Sequence, residues 1–536
     1  MSKKQTRTPR KRKEDEPEEL ILRPWQIDWS IRAREILENN VGYADLSSLG
    51  SGKTIIALYL ALYFRFSLLV ICPVSVKNVW ETQSKKYGVD LIDVISYQSL
   101  RSINGVQPKH GLLNRYDLVT PKKIMKAKFE PTQKYLKMVE NGILVILDES
   151  QYAKNNSEQY KSCRSLLKPI VDPNEDVKTI VSRFGILSRT PIDKEEQILN
   201  FLRMTGFIRS SQLYSYNSKT NKVSSLGFDE LKESCLFYNP VLTNQILNSP
   251  EFSNVLGDKK KLNYLVFILY NKVIKKAISG SMSAAPKDSL IHSVMNGFFN
   301  IRGENEKELI KAIAVLKKAV KYRNPDEDVE ISKDSFGNIT TSLKKIEESK
   351  AADIARVCRE ILEANDDNKV IVALNFTSSL ETINKLLSDY NPLILQGSTK
   401  EKNRGPLIDS FNEDKNYRVL IMNLKTGGMG ISLHDTVGDS PRFMIISPSY
   451  DTLAILQASG RTVRDKVQSD TFTKIFYGSN DSAIETNILN ALARKSAVTK
   501  AIVEDDNSEI PFPVDYKSWY EPSDHKVDYN DYDQII

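Results

Sequence analysis

Nine short apolar runs, gathered in two sets, constrain this chain more than any other feature. SLLVICP (67–73), LIDVISY (91–97), GILVILDES (142–150) and FGILS (184–188) form the first set. KVIVALNF (369–376), PLILQG (392–397), YRVLIMN (417–423), RFMIISP (442–448) and TFTKIFYG (471–478) form the second. The runs are continuously apolar, and the stretches between them are helical in pattern. Strands buried on both faces read this way, and they occur in parallel sheets covered by helices. The expected fold class is therefore α/β, with two parallel-sheet lobes. A chain of 536 residues is also too long for one hydrophobic core.

The region between the sets, 208–350, has few strand signals. Its clearest element is ENEKELIKAIAVLKKAVKYR (304–323), with Leu309, Ile313, Leu316 and Val320 at three- and four-residue steps. That spacing makes an amphipathic helix with a basic outer face. A mostly helical insert between the lobes is expected, with the polar stretch 324–342 as loop. The expected organisation is a charged tail (1–19), lobe one (20–207), the insert (208–350), lobe two (351–504) and an acidic tail (505–536). Within lobe two, IETNILNALARKSAVTKAIVE (484–504) reads as a closing helix.

Composition narrows the function classes. Residues 3–13, KKQTRTPRKRK, carry only positive charge and are followed by acids. The stretch reads as a solvated tail, or as a phosphate-gripping arm or nuclear address. It lacks the apolar core of a secretory signal, and no apolar run is long enough to span a bilayer, so no membrane partner is expected. Cys72, Cys163, Cys235 and Cys358 lie far apart, as do the four histidines. That spacing suits reduced thiols in an intracellular protein and argues against a zinc or multi-histidine centre. The net charge of +7 permits a polyanionic partner without requiring one.

The sharpest motif is Ser48-Leu49-Gly50-Ser51-Gly52-Lys53-Thr54, opening the helical run IIALYLALYF. A glycine turn at a helix N-terminus aims backbone N–H groups and a favourable dipole at a phosphate. Lys53 is placed to neutralise β- and γ-phosphates and Thr54 to ligate Mg²⁺. Ser47 stands where the full phosphate-loop pattern has a glycine, so the match is to the shorter G-x-G-K-T form, which a plain helix-capping turn can also produce. Asp148 and Glu149 close the apolar strand ILVILD. Acids at the C-terminal end of a buried parallel strand sit where such sheets bind ligands. Asp148 suits Mg²⁺ and Glu149 suits activation of an attacking water, against the alternative of two solvated acids.

Two further motifs lie in the second set. Thr426-Gly427-Gly428-Met429-Gly430 follows the strand VLIMN and can present N–H groups to a phosphate, or be merely a tight turn. Gln457-Ala458-Ser459-Gly460-Arg461-Thr462-Val463-Arg464 places two arginines one helical turn apart. A guanidinium can reach a γ-phosphate across a cleft, a role worth roughly 10³-fold in rate. Surface ion pairs are the alternative, worth about 0–1 kcal/mol.

The order of these strings resembles the motif series of superfamily two helicases, and the SWI/SNF-type DNA translocases in particular. LRPWQ (22–26), CPVSVKNVWETQ (72–83), LDESQYAKN (147–155) and ESKAADIARVCREIL (348–362) carry the finer likeness. The resemblance implies two RecA-like lobes with ATP and Mg²⁺ between them. It implies ATP contacts from Arg23, Gln26, Leu49, Gly50, Ser51, Gly52, Lys53 and Thr54. Catalysis would fall to Lys53, Asp148, Glu149, Gln457, Arg461 and Arg464, with Thr54 and Asp148 on the metal. Gln151, Ser188, Arg189 and Thr190 would couple hydrolysis to motion. Pro73, Ser75, Lys77, Thr426, Gly427 and Gly428 would lie on the nucleic acid. The sequence departs from the family at Gln151 and Val463, where histidine is usual, and at Arg189, where glycine is usual. SLHDTVGDSPRFMIISPSY (432–450) also resembles helicases of large DNA viruses and phages.

The expected activity is ATP-driven translocation on nucleic acid, with duplex DNA as the leading partner and RNA as another. The insert could hold a transcription or replication protein. The compartment is expected to be nucleus, cytoplasm or virion. A strand-separating helicase is the second reading, and it needs a wedge hairpin or accessory domain that the sequence does not display. A non-catalytic binding module or transcription-factor subunit is the third. The intact Lys53, Asp148, Glu149, Arg461 and Arg464 oppose it.

Overall fold

The computed structural model describes residues 17–478 apart from 49, 120–124, 168–169, 172–178, 181, 190, 193–196, 211, 218–221, 253–258, 283–289, 300, 302–303, 320–332, 428–430, 450 and 464–466. The expected tail over 1–16, the closing helix over 484–504 and the acidic tail lie outside the described residues. Pro17 to Glu19, assigned to the tail, begin the described chain: Glu18 N–H donates to the Lys86 carbonyl at 2.8 Å.

The first lobe's strands run β1 (Gly42–Asp45), β2 (Ser67–Cys72) and β3 (Leu91–Ser96), then an antiparallel hairpin of β4 (Leu113–Val119) and β5 (Met125–Pro131). β6 (Ile143–Asp148) follows, then a short ribbon of β7 (Ile170–Val171) and β8 (Thr179–Ile180), and then β9 (Arg183–Leu187). A second ribbon, β10 (Ser215–Asn217) with β11 (Lys222–Ser224), precedes β12 (Ser279–Gly280). The main sheet is ordered β12-β1-β9-β6-β2-β3 and every pairing in it is parallel.

The second lobe holds β13 (His292–Phe299), β14 (Lys369–Leu374), β15 (Leu393–Leu395), β16 (Val419–Asn423), β17 (Arg442–Ile446) and β18 (Thr471–Gly478). They form a second parallel sheet ordered β13-β18-β17-β14-β16-β15. All nine apolar runs are strands. Burial on both faces explains their composition: Leu69 and Ile71 enter one core of lobe one while Leu68, Val70 and Cys72 enter the other. In β14, Val370, Val372 and Leu374 divide in the same way from Ile371 and Ala373. Each such side chain contributes roughly 1.5–3 kcal/mol of burial. No helix among the described residues is long and apolar enough to cross a membrane.

The intervening region departs from the expectation in two respects. It is rich in helix, including Leu226–Tyr238, Pro240–Leu247, Lys259–Leu269 and Glu304–Ala319, yet it also completes both sheets. β12 pairs with β1 and the eight-residue β13 pairs with β18 along its whole length. HSVMNGFF reads poorly as a strand because Asn296 and Gly297 interrupt it; pairing along the sheet edge outweighs that weak propensity. Residues 333–342, expected as loop, belong to the helix Lys333–Ser349. Ser, Gly and Asn are poor helix formers, but Leu343 and Ile346 dock this helix on the lobe-two core, and tertiary packing decides.

Candidate active site

The glycine turn stands between β1 and the helix Lys53–Phe64. Gly50 and Gly52 have φ of 77° and 97°, a region that costs an L-residue side chain about 1–2 kcal/mol. A Cβ on Gly52 would also strike the Gln26 amide. Gln26 is buried and donates from Nε2 to the Ser51 carbonyl at 3.0 Å, while its Oε1 accepts from Arg23 N–H at 2.8 Å. Trp25 Nε1 reaches the same Ser51 carbonyl at 3.2 Å. The LRPWQ segment is therefore wedged against the turn. Lys53 Nζ donates to the carbonyls of Ser47 and Ser48 at 3.0 and 3.1 Å. Burial lowers its pKa, with Asp45, Glu149 and Asp148 opposing that and Arg189 adding to it. Thr54 is the second residue of the helix and half-buried. Leu49 lies outside the described residues.

Asp148 ends β6 beside this turn. Burial first, and then the Glu149 carboxylate, push its carboxyl up to about 7, against the pull of Trp80 and Lys53. Trp80 Nε1 donates to Oδ2 of Asp148 at 2.8 Å, and the Tyr97 hydroxyl donates to the Asp148 carbonyl at 2.9 Å. Neither aromatic residue is singled out by sequence reasoning, although both sit in the quoted strings CPVSVKNVWETQ and LIDVISY. Glu149 is left-handed with φ 53°, a strained conformation for a non-glycine residue. Its Oε2 accepts from Gln151 Nε2 at 2.7 Å, and Gln151 Oε1 accepts from the Ser188 hydroxyl at 2.6 Å. Arg189 is half-buried beside them, and Thr190 is outside the described residues.

Lobe two reaches the same acid. Gln457, on the helix Thr452–Ser459, donates from Nε2 to Oε2 of Glu149 at 3.1 Å. Arg461 is 3% exposed, and its charge is drawn by Glu149 and Tyr152 against a burial penalty that lowers its pKa. Arg461 lies two residues beyond the helix that carries Gln457, and its carbonyl accepts from Leu433 N–H at 2.9 Å. Arg464 falls outside the described residues.

Pro73, Ser75 and Lys77 follow the C-terminal end of β2, at the sheet edge that holds Asp148. Thr426 and Gly427 form the end of the short helix Leu424–Gly427 after β16; Gly428 is outside the described residues. Next to that helix is a hollow of about 520 Å³ lined by Asn375, Thr377, Gln396, Ser398, Asn423 and Lys425. These residues end or follow β14, β15 and β16, and no sequence motif flagged them. Asp45, at the end of β1, is a further buried acid of the site. Its Oδ1 holds the Ser47 N–H at 3.0 Å, and burial raises its pKa.

Comparison with known proteins follows the same lines. Residues 352–466 match the helicase conserved C-terminal domain. A protein of Acanthamoeba polyphaga mimivirus, described as a candidate ATP-dependent RNA helicase, is 21% identical over 490 residues, covering 90% of this chain and 84% of that one. The ATP-dependent helicase fft1 of Schizosaccharomyces pombe is 21% identical over 399 residues, 68% of this chain and 41% of its own length. The Sulfolobus solfataricus SWI2/SNF2 ATPase core in complex with double-stranded DNA is 16% identical, with 91% of this chain and 94% of that one aligned at a TM-score of 0.29. The chain thus spans most of the viral relative but under half of the yeast one.

Proposed function

Because this chain belongs to helicase superfamily two, in its SWI/SNF-type branch, we propose that it is an ATP-driven translocase on double-stranded DNA that remodels protein–nucleic acid complexes or assists transcription. The family is one of nucleic-acid-dependent ATPases. The observation that carries the reading is the hydrogen bond from Gln457 to Glu149, 3.1 Å long and spanning 308 positions of sequence. It joins the acid of one sheet to the arginine-bearing segment of the other.

The residues suit a nucleoside triphosphate with Mg²⁺. The left-handed glycines free backbone N–H groups, Lys53 brings a cation, and two adjacent half-buried carboxylates call for a compensating positive charge. ATP would supply the phosphoanhydride whose hydrolysis drives the cycle, and Mg²⁺ when bound would neutralise charge on its phosphates. Lys53 would hold the phosphates, and Thr54 and Asp148 would hold the metal. Glu149 takes the proton of the attacking water, and Arg461 stabilises charge developing on the γ-phosphate. Gln457 orients Glu149, and Gln151 passes the state of Glu149 to Ser188. Residues 73–77 and 425–427, with the polar hollow beside them, grip the phosphate backbone without reading sequence.

The decisive experiment pairs ATPase stimulation by duplex DNA with displacement of a triplex-forming strand. Wild-type protein should do both, and Glu149→Gln should do neither while still binding ATP. Stimulation confined to single strands, with forks unwound and triplexes untouched, would replace this reading with that of a strand-separating helicase. No hydrolysis with any nucleic acid would leave a binding module.

A further inference from the structure

We infer that the hairpin β4–β5 of lobe one is a second nucleic-acid contact, one that receives a single, unstacked strand on its outer face. The inference rests on the motor reading for nucleic acid as its ligand class, but not for its geometry or for the single-stranded form.

The hairpin lies outside the main sheet and has two unlike faces. Inward, Leu113, Ala127 and Phe129 join the lobe core. Arg115, 2% exposed at its side chain, donates to both oxygens of Glu158 at 2.9 and 3.0 Å. It also donates to Asp117 Oδ1 at 3.0 Å and to the Arg101 carbonyl at 2.9 Å. Gln107 brackets the Arg115 backbone with bonds of 2.6 and 2.9 Å. The hairpin is thereby fixed to the helix Tyr97–Arg101, whose first residue bonds the Asp148 carbonyl. One short helix separates the hairpin from the metal-binding acid.

Outward, the antiparallel register places Tyr116 opposite Lys128 and Leu118 opposite Lys126. Tyr116 is 42% exposed and Leu118 53%, in a lobe whose other large apolar side chains are mostly buried. Nothing among the described residues covers them. Charge identifies the occupant. Residues 101–137 hold nine lysines and arginines against two acids. Arg101 and Arg115 are paired to Glu158 and Lys128 to Glu130, so the remaining excess is carried by lysines alone, Lys126 of the outer face among them. An aromatic ring and a branched aliphatic offer a stacking platform, with Lys126 as a phosphate partner alongside and Lys128 held by Glu130 at the platform's edge. That is the chemistry of single-strand binding, because every unpaired base has a face and only an unstacked base can lend it.

The test is fluorescence anisotropy of full-length protein with labelled single-stranded and duplex oligonucleotides, without nucleotide, over a salt series. Tyr116→Ala should weaken single-strand binding about tenfold, from a stacking contribution of roughly 1–3 kcal/mol per base. Lys126→Ala should lower the slope of log affinity against log salt by about 0.7. Both variants should keep wild-type duplex affinity and basal ATPase activity. Lys311→Ala, an exposed lysine on the helix Glu304–Ala319, serves as the charge-matched control and should change neither affinity. Unchanged single-strand affinity in Tyr116→Ala and Lys126→Ala overturns the inference and leaves the face to a protein or to solvent. Equal losses for single strand and duplex also overturn it. The motor reading fails separately, through absence of DNA-stimulated hydrolysis in the wild type.

Discussion

The indole N–H of Trp80 donates to Oδ2 of Asp148 at 2.8 Å. Trp80 sits on the helix Lys77–Tyr87, which begins at Lys77, a candidate nucleic-acid residue; Asp148 is the candidate metal ligand. A side chain between those two duties tunes the acid directly. Asp148 is raised to about 7 by burial and by Glu149, and the Trp80 hydrogen bond is the strongest influence pulling it down. Below that value the carboxyl is protonated and must release its proton to take Mg²⁺. Apparent Mg²⁺ affinity, read from ATPase activity at pH 6, 7 and 8, should therefore rise steeply to about 7 and then flatten. Trp80→Phe should move the flattening point upward and weaken Mg²⁺ binding at pH 7 about tenfold, since a hydrogen bond to a charged group contributes roughly 1.5–3 kcal/mol. An unchanged profile counts against the role.

The same shift has a consequence for stability. A carboxyl raised in the folded state favours the folded chain while it is protonated. That contribution is whole below the ordinary carboxylate range and is lost as pH climbs to about 7. Urea midpoints of the nucleotide-free protein should fall across that window, and Asp148→Asn should remove the decline.

Gln151 is bonded to both Glu149 and Ser188. Gln151→Ala should leave basal hydrolysis within a few-fold of wild type yet abolish its stimulation by DNA. Parallel loss of basal and stimulated rates would assign Gln151 to chemistry and not to coupling.

Arg461 and Gln457 approach Glu149 from the opposite lobe. Arg461→Lys should lower kcat roughly 10³-fold, because a point charge lacks the guanidinium fork. Gln457→Ala should lower kcat without that loss of charge, by about tenfold. Equilibrium ATP binding, followed with a fluorescent analogue, should change less than kcat in both.

Stability of lobe two has its own test. Phe411 is fully buried, and Lys369 and Arg442 each lie 5.4 Å from its ring centroid. Phe411→Ala removes packing worth about 3–5 kcal/mol and loosens two buried cations. Denaturant unfolding should show the loss, and Phe411→Leu should restore most of it.

Both sheets were legible in the sequence because strands buried on two faces read as short, mostly apolar, β-branched runs bounded by turn residues, whereas the apolar helical run IIALYLALYF is longer and opens on a glycine turn. β1 was not legible: GYAD is short, and its burial comes from Phe184 and Trp29 in distant segments. β12 and β13 escaped for the related reason that edge pairing, not composition, makes them strands. Within the site, Lys53, Asp148 and Glu149 announce themselves by residue type at a strand or helix end. Trp80, Tyr97 and Asp45 do not, because an aromatic donor or a buried acid acquires meaning only from what the fold brings beside it. Arg461 was legible as a residue, but the bond its carbonyl accepts from Leu433, in another segment, was not.

The segment that leaves lobe one also touches the phosphate turn. Met282 N–H bonds the Ser47 hydroxyl at 2.9 Å, and the Met282 carbonyl accepts from Ser48 N–H at 3.1 Å. Nine positions later, Ile291 adjoins the edge strand of lobe two, held to β18 over eight paired residues, whereas β12 is held to β1 over two. Such a span is at most about 30 Å when drawn straight. Connectivity thus strings a leash between the two halves whose weaker knot is tied at the lysine loop. When the halves part far enough to draw it taut, the first bonds to feel the tug are those that shape the cradle for ATP.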